Sequence, residues 1–166
     1  MLTPSLAGQP SFYVITQLFL FREGRRANEA MTAVAKGMSD ADLRGFSDFI
    51  AKLPPPTPPT AGAADPMRMA RGEALARQHR CASCHGDDHA GAKQVPRIAH
   101  QREDYLNKAL AEFRAGTRLG YTGAMAEALA GIAPADLTDL AHYLANFGAQ
   151  TGVAAPTAVE AARSKT

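Results

Sequence analysis

Apolar and polar positions along the chain recur at helical spacing, with no alternating strand pattern. The segment DPMRMARGEALARQHR (65–80) sets Met69, Leu75 and several alanines against Arg68, Arg71, Glu73 and Arg77. Asp65 stands as N-cap and Pro66 at the first helical position, so a helix is predicted to start there. Gly72 costs that helix about 1 kcal/mol against alanine, but it would let another backbone approach closely. A second helix is predicted over REDYLNKALAEFRAG (102–116). Leu106, Ala109, Leu110 and Phe113 share one face, Glu103 and Asp104 favour the first turn electrostatically, and Gly116 ends it. A third is predicted over PADLTDLAHYLANFG (134–148), opened by Pro134, faced by Leu137, Leu140, Leu144 and Phe147, and closed by Gly148. GDDHAGAKQVPRIAHQ (86–101) reads as loop and TRLGYTGAMAEALAGI (117–132) as a connecting stretch.

The pattern repeats. PSLAGQPSFYVITQLFLFREGRR (4–26) lies 92 residues before PRIAHQREDYLNKALAEFRAGTR (96–118), with nine of 23 positions identical. MTAVAKGMSDADLRGFSDFIAKL (31–53) lies 94 residues before MAEALAGIAPADLTDLAHYLANF (125–147). Met31 falls on Met125, and Phe46, Phe49 and Ile50 fall on Leu140, Tyr143 and Leu144. Ser39 with Asp42 makes a capping box that Ala133 and Asp136 do not. The expected organisation is a partial unit over 1–53, a stiff proline-rich linker over 54–65, a complete unit over 66–149 and a mobile tail over 150–166.

The 166 residues are 46% hydrophobic, enough for a buried core, and the formal charge is +2. That balance gives no reason to expect nucleic acid or an acidic membrane surface as partner. No apolar run reaches the about 18–20 residues a membrane helix needs. The most apolar run, FYVITQLFLF (12–21), is too short and carries Thr16 and Gln17. The N-terminus has no basic region followed by an apolar signal core.

RCASCHGDDHAG (80–91) holds the only two cysteines, with His85 directly after Cys84. Cys-x-x-Cys-His admits four readings. A disulfide would close a tiny loop and stabilise little. A thioredoxin-like pair wants a preceding strand, which is not seen. Zinc wants four ligands; Cys81, Cys84 and His85 with His79 or His89 could supply them, but there is no second Cys-x-x-Cys. Covalent haem attachment would join Cys81 and Cys84 to the porphyrin and bring His85 under the iron. It demands a helix leading into the motif, which 65–80 supplies, and a distal ligand further on. Met125 stands 40 residues past His85; its thioether suits low-spin iron opposite histidine and raises the reduction potential. Met67 and Met69 read as packing residues, and His79, His89, His100 and His142 as surface or loop histidines. No carboxylate pair, serine elbow or phosphate loop appears.

CASCHG, PRIAHQ, the DYL helix, FRAGTR, Met125 and ADLTDLAHYLA together resemble the tandem class I cytochromes c of bacteria, the cytochrome c4 and c553-like group. The first repeat is similar from PSLAGQ to its proline-rich end. The resemblance implies an all-α class I cytochrome c fold, three main helices around one covalent haem c, preceded by a partial copy of the same fold. It implies that Cys81 and Cys84 bind haem, that His85 is the proximal and Met125 the distal iron ligand, and that the Pro96 carbonyl orients the His85 ring. Arg97 would face a haem propionate or solvent. The implied function is an electron carrier, not an enzyme, passing electrons from an upstream dehydrogenase or cytochrome complex towards an oxidase. The implied location is the periplasm, with peripheral membrane association left open.

The first repeat has Met31 but no cysteines or proximal histidine, so one haem is expected. Either an upstream part carries a signal peptide and a first haem motif, the favoured explanation, or the gene is truncated. Without that part, Phe12, Phe19, Phe21, Phe46 and Phe49 are expected to be exposed. The rival functions are a ligand-binding haem protein, a haem subunit of a dehydrogenase complex, and a zinc-binding interaction module.

Overall fold

A computed structural model describes residues 3–58, 64–118 and 123–149. Among them there are eight helices and no strand. The first repeat forms α1 (Ser11–Arg22), α2 (Glu29–Ala35) and α3 (Asp40–Lys52). The second forms α4 (Pro66–Gln78), α5 (Ala82–His85), α6 (Glu103–Arg114), α7 (Ala124–Leu129) and α8 (Asp136–Ala145). The predicted 150–166 tail lies outside the described residues.

Local chemistry sets the helix ends. The Asp65 carboxylate accepts from the amides of Met67 and Arg68 at 2.8 and 3.1 Å, and Pro66 follows at N1. Ser39 and Asp42 form the expected capping box on α3. Gly116 and Gly148 end α6 and α8 at φ of +68° and +71°, where a side chain would be strained. Helix α8 begins at Asp136 rather than Pro134, because 134–135 form a turn. Helix α7 was not expected; six residues without a capping side chain carry too little periodicity to read.

The second repeat's core joins Leu106, Leu110, Leu129, Ile132, Leu137, Leu140 and Leu144 from α6, α7, α8 and the turn before α8. The most extensive helix contact is α4 on α8. It depends on Gly72: a Cβ there would collide with the Asp139 carbonyl oxygen and the Tyr143 Cβ. Arg68 and Arg71 tie the same crossing to the Asp139 carboxylate at 3.1 and 2.6 Å. Arg68 also reaches Glu103 at 2.9 Å. His142 is buried rather than surface: its Nε2 accepts from the Asp65 amide at 3.0 Å, so Nδ1 carries the proton and donates to Glu103 at 2.9 Å. One node thus joins the linker end, α4, α6 and α8.

In the first repeat α1 packs on α3 and α2, around Val14, Leu18 and Leu43. Among the described residues nothing there corresponds to α4. Leu140 and Leu144 are 1% and 2% exposed on α8, whereas Phe46 and Phe49 are 49% and 61% exposed on α3. Phe12 is exposed as expected. Phe19 is half-buried, and Phe21 is buried rather than exposed, with the Arg26 guanidinium 4.4 Å from its ring centroid. Met69 packs in the core as expected, but Met67 is 68% exposed.

The two repeats meet through equivalent residues. Gln9 holds the Arg97 backbone and Gln101, its equivalent, holds the Ser5 backbone. Arg26 donates to the Tyr105 hydroxyl at 3.0 Å, and its equivalent Arg118 lies 3.4 Å from the Tyr13 hydroxyl. These reciprocal pairs give the contact an approximate twofold character.

Two outcomes follow from the α4–α8 crossing. Gly72→Ala is expected to destabilise by about 1–3 kcal/mol in denaturant melts, since overpacking outweighs the roughly 1 kcal/mol of helix propensity gained. The Arg71 and Arg68 guanidiniums hold the Asp139 carboxyl below the ordinary carboxylate range, against a smaller opposing effect of burial. A depressed folded value stabilises above the unfolded value of about 4 and loses that stability as pH falls through the folded value. Asp139→Asn is therefore expected to cost about 1–2 kcal/mol at pH 7, and melts against the parent should converge as the pH drops below about 4.

Candidate functional site

Helix α4 delivers the chain to Cys81, where the Cys81 amide donates to the Ala76 carbonyl at 2.9 Å. Helix α5 is a single turn, Ala82–His85, ended by Gly86 at φ +81°. This turn fixes the motif's geometry. Cys81 is half-buried against the second repeat's core, Cys84 is exposed, and both thiols are free. Burial pushes the Cys81 thiol up, so it stays protonated at neutral pH.

His85 is 5% exposed. Its Nδ1 lies 2.9 Å from the Pro96 carbonyl oxygen. A carbonyl only accepts, so Nδ1 carries the proton and Nε2 keeps its lone pair. Burial lowers the pKa of the ring, against a smaller upward pull from the Pro96 carbonyl. The result is a neutral imidazole with one nitrogen available to a metal.

The Pro96 carbonyl is placed by the folding of the 86–101 loop. Gly91 donates its amide to the His85 carbonyl at 2.8 Å. Its φ is +70°, and a Cβ would run into the Val95 and Pro96 carbonyls. Ala92 and Val95 form an isolated bridge. The amides of Ile98 and Ala99 both donate to the His89 carbonyl, at 3.0 and 3.2 Å. His89 is not a surface residue: at 3% exposure it packs on Phe147 and Tyr143, with ring centroids 4.8 and 6.1 Å away. The loop turns inward through its left-handed backbone, φ +52°. His100 is half-buried with ring nitrogens 3.0 Å from the Pro56 and 2.7 Å from the Phe147 carbonyl.

Met125 lies on α7, half-buried, and packs against the same core cluster as Cys81 and Ile98. Sequence spacing singled it out; helix α7, which holds it, was not expected. Arg97 is half-buried, and its Nε is buried without a hydrogen-bond partner. A buried guanidinium N–H without an acceptor fits an anionic group at this place.

Two free thiols, a neutral buried imidazole with a bare nitrogen, a thioether and an unsatisfied guanidinium fit a covalently held haem with acidic side groups. All-α packing around such a motif defines a c-type haem protein. A family model described as Cytochrome c matches residues 69–147. The chain is 32% identical to cytochrome c4 of Thiocapsa roseopersicina over 152 residues, 85% of this chain and 77% of that protein. It is 32% identical to a thiosulfate dehydrogenase electron acceptor of Thiomonas intermedia, over 70% of this chain and 57% of that protein. The solved structure of reduced recombinant cytochrome c4 from Pseudomonas stutzeri superposes with a TM-score of 0.76 at 27% identity, covering 86% of this chain and 84% of that one. The chain belongs to the cytochrome c family, and its similarity within it is to the cytochromes c4. It is an electron-transfer protein of class I cytochrome c fold that carries covalent haem c, an electron carrier rather than an enzyme.

Gly91→Ala is expected to cost about 1–3 kcal/mol from strain at positive φ and to displace the Pro96 carbonyl from His85. Thermal melts read the first effect, and the His85 Nδ1–H resonance reads the second.

Proposed function

We propose that Cys81 and Cys84 hold haem c through thioethers, that His85 and Met125 are its axial ligands, and that Arg97 faces one of its carboxylates. The observation that carries this reading is the 2.9 Å contact from His85 Nδ1 to the Pro96 carbonyl, which leaves Nε2 free. A donor bond on the far nitrogen fixes tautomer and ring plane, and makes the imidazole a stronger ligand. The bound haem supplies a one-electron iron couple. Held by both His85 and Met125, the iron would have no open position for substrate, and the buried Leu129, Ile132, Leu140 and Leu144 would keep water from the second repeat's core. A histidine and thioether pair favours a high reduction potential. The haem-bearing unit is 66–149, joined by the 54–65 linker to a partial repeat over 1–53.

Haem c attachment supports a periplasmic location. The protein passes electrons in brief encounters between an upstream dehydrogenase or cytochrome complex and a downstream oxidase. The similarity to an electron acceptor of thiosulfate dehydrogenase supports a dehydrogenase as donor. No helix among the described residues is long and apolar enough to cross a membrane.

The test is the optical spectrum, pyridine haemochrome and mass of protein made in a host that matures cytochromes c. One covalent haem, a low-spin spectrum and a sulfur-to-iron band in the far red are expected. Met125→Leu should abolish that band and lower the reduction potential while leaving the mass of one haem. A high-spin parent spectrum would instead favour a ligand-binding haem protein, and a colourless zinc protein would overturn the reading.

A further inference from the structure

The segment that holds His85 is itself held from the other repeat. Pro96 has no amide, and its carbonyl faces His85. The Ile98 and Ala99 amides go to the His89 carbonyl and the His100 amide to the Leu144 carbonyl, all within the second repeat. Arg97 is the exception. Its amide donates to Gln9 Oε1 at 3.0 Å, and its carbonyl accepts from Gln9 Nε2 at 2.9 Å. Gln9 is 5% exposed, so both bonds are shielded from water. One primary amide thus satisfies both backbone groups of the residue next to Pro96.

We propose that Gln9 is a positioning residue for the haem ligand: by clamping the Arg97 backbone it fixes the Pro96 carbonyl and, through it, the plane and donor strength of the His85 ring. The repeat makes the assignment specific. Gln101, 92 residues on, grips Ser5 the same way, its Oε1 taking the Ser5 amide at 2.7 Å and its Nε2 donating to the Ser5 carbonyl at 2.9 Å. Ser5 follows Pro4, as Arg97 follows Pro96. Only the grip on Arg97 leads to a histidine of this chain. The first repeat is then a working part of the redox site although it carries none of the ligands proposed above. Loosening the grip lengthens the bond from His85 to Pro96, weakens the imidazole as a donor and favours the ferrous form.

The inference rests on the axial assignment of His85 and is tested on the haem-loaded chain. Gln9→Met keeps the side chain's length and removes both bonds. Three quantities are read: exchange of the Arg97 amide, the hyperfine-shifted haem methyl resonances, which report the imidazole plane, and the reduction potential. Exchange should quicken at least tenfold, and the methyl shifts should rearrange. The reduced-to-oxidised ratio at fixed potential should rise at least threefold, about 28 mV at about 59 mV per tenfold for one electron. Arg26→Ala breaks the Tyr105 bond at another point of the same contact; it should leave methyl shifts and potential at parental values. Unchanged shifts and potential in Gln9→Met overturn the proposal, as do equal changes in Arg26→Ala. If Gln9→Met does not fold, Gln9→Glu, which loses only the donor to the Arg97 carbonyl, is read by the same three measures, with unchanged values again overturning it. A parent that takes up no haem refutes the assignment of His85 instead, and is recognised before any variant is made.

Discussion

The contact between the His85 ring and the Pro96 carbonyl is the constraint around which the second repeat is arranged. A buried imidazole is useful to a metal only if one nitrogen is protonated and satisfied while the other is bare. In the proposed site, meeting that requirement takes a carbonyl at one position, and the loop from Gly86 to Gln101 puts the Pro96 carbonyl there. Gly91 admits the close approach, and His89 gathers the amides that would otherwise be stranded. Helix α5 then needs only one turn, because the cysteines are set by the end of α4 and the histidine by the loop.

Helices α3, α4, α6 and α8 were legible because each is marked twice, by an apolar face and by an end signal, whereas the short α7 carries neither. Asp65–Pro66, the Ser39–Asp42 box, Gly116 and Gly148 are local devices whose effect does not depend on distant residues. The motif was legible because its chemistry is compressed into five residues. Met125, proposed as the second ligand, was singled out by spacing and by the repeat. What could not be read was which polar side chains turn inward. His89 in its loop and His142 on α8 read as solvent residues, yet they are buried by tertiary partners, Tyr143 and Phe147 for one, Asp65 and Glu103 for the other. Phe21 is covered by Arg26 for the same kind of reason. Nor does any local pattern show that Gln9 grips Arg97, since the two are 88 residues apart.

The repeat has two different fates in this chain. Where α4 covers α8, the matched face is closed and leucines are sealed; where no described helix covers α3, the matched face carries phenylalanines open to water. The reciprocal glutamines and the arginine–tyrosine pairs join the two without requiring either to be symmetric inside.

The crossing of α4 and α8 also has a bearing on the order in which the second repeat comes into being. Its two helices stand at opposite ends of that repeat, so the contact forms only by closing a long loop, and such closure slows folding. Cys81 and Cys84 sit at the end of the helix made first. Until α8 docks, the core against which Cys81 packs lacks Leu137, Leu140 and Leu144. The glycine that lets the helices meet so closely thus governs the step that closes the core beside Cys81, while Cys84 stays exposed in the folded chain.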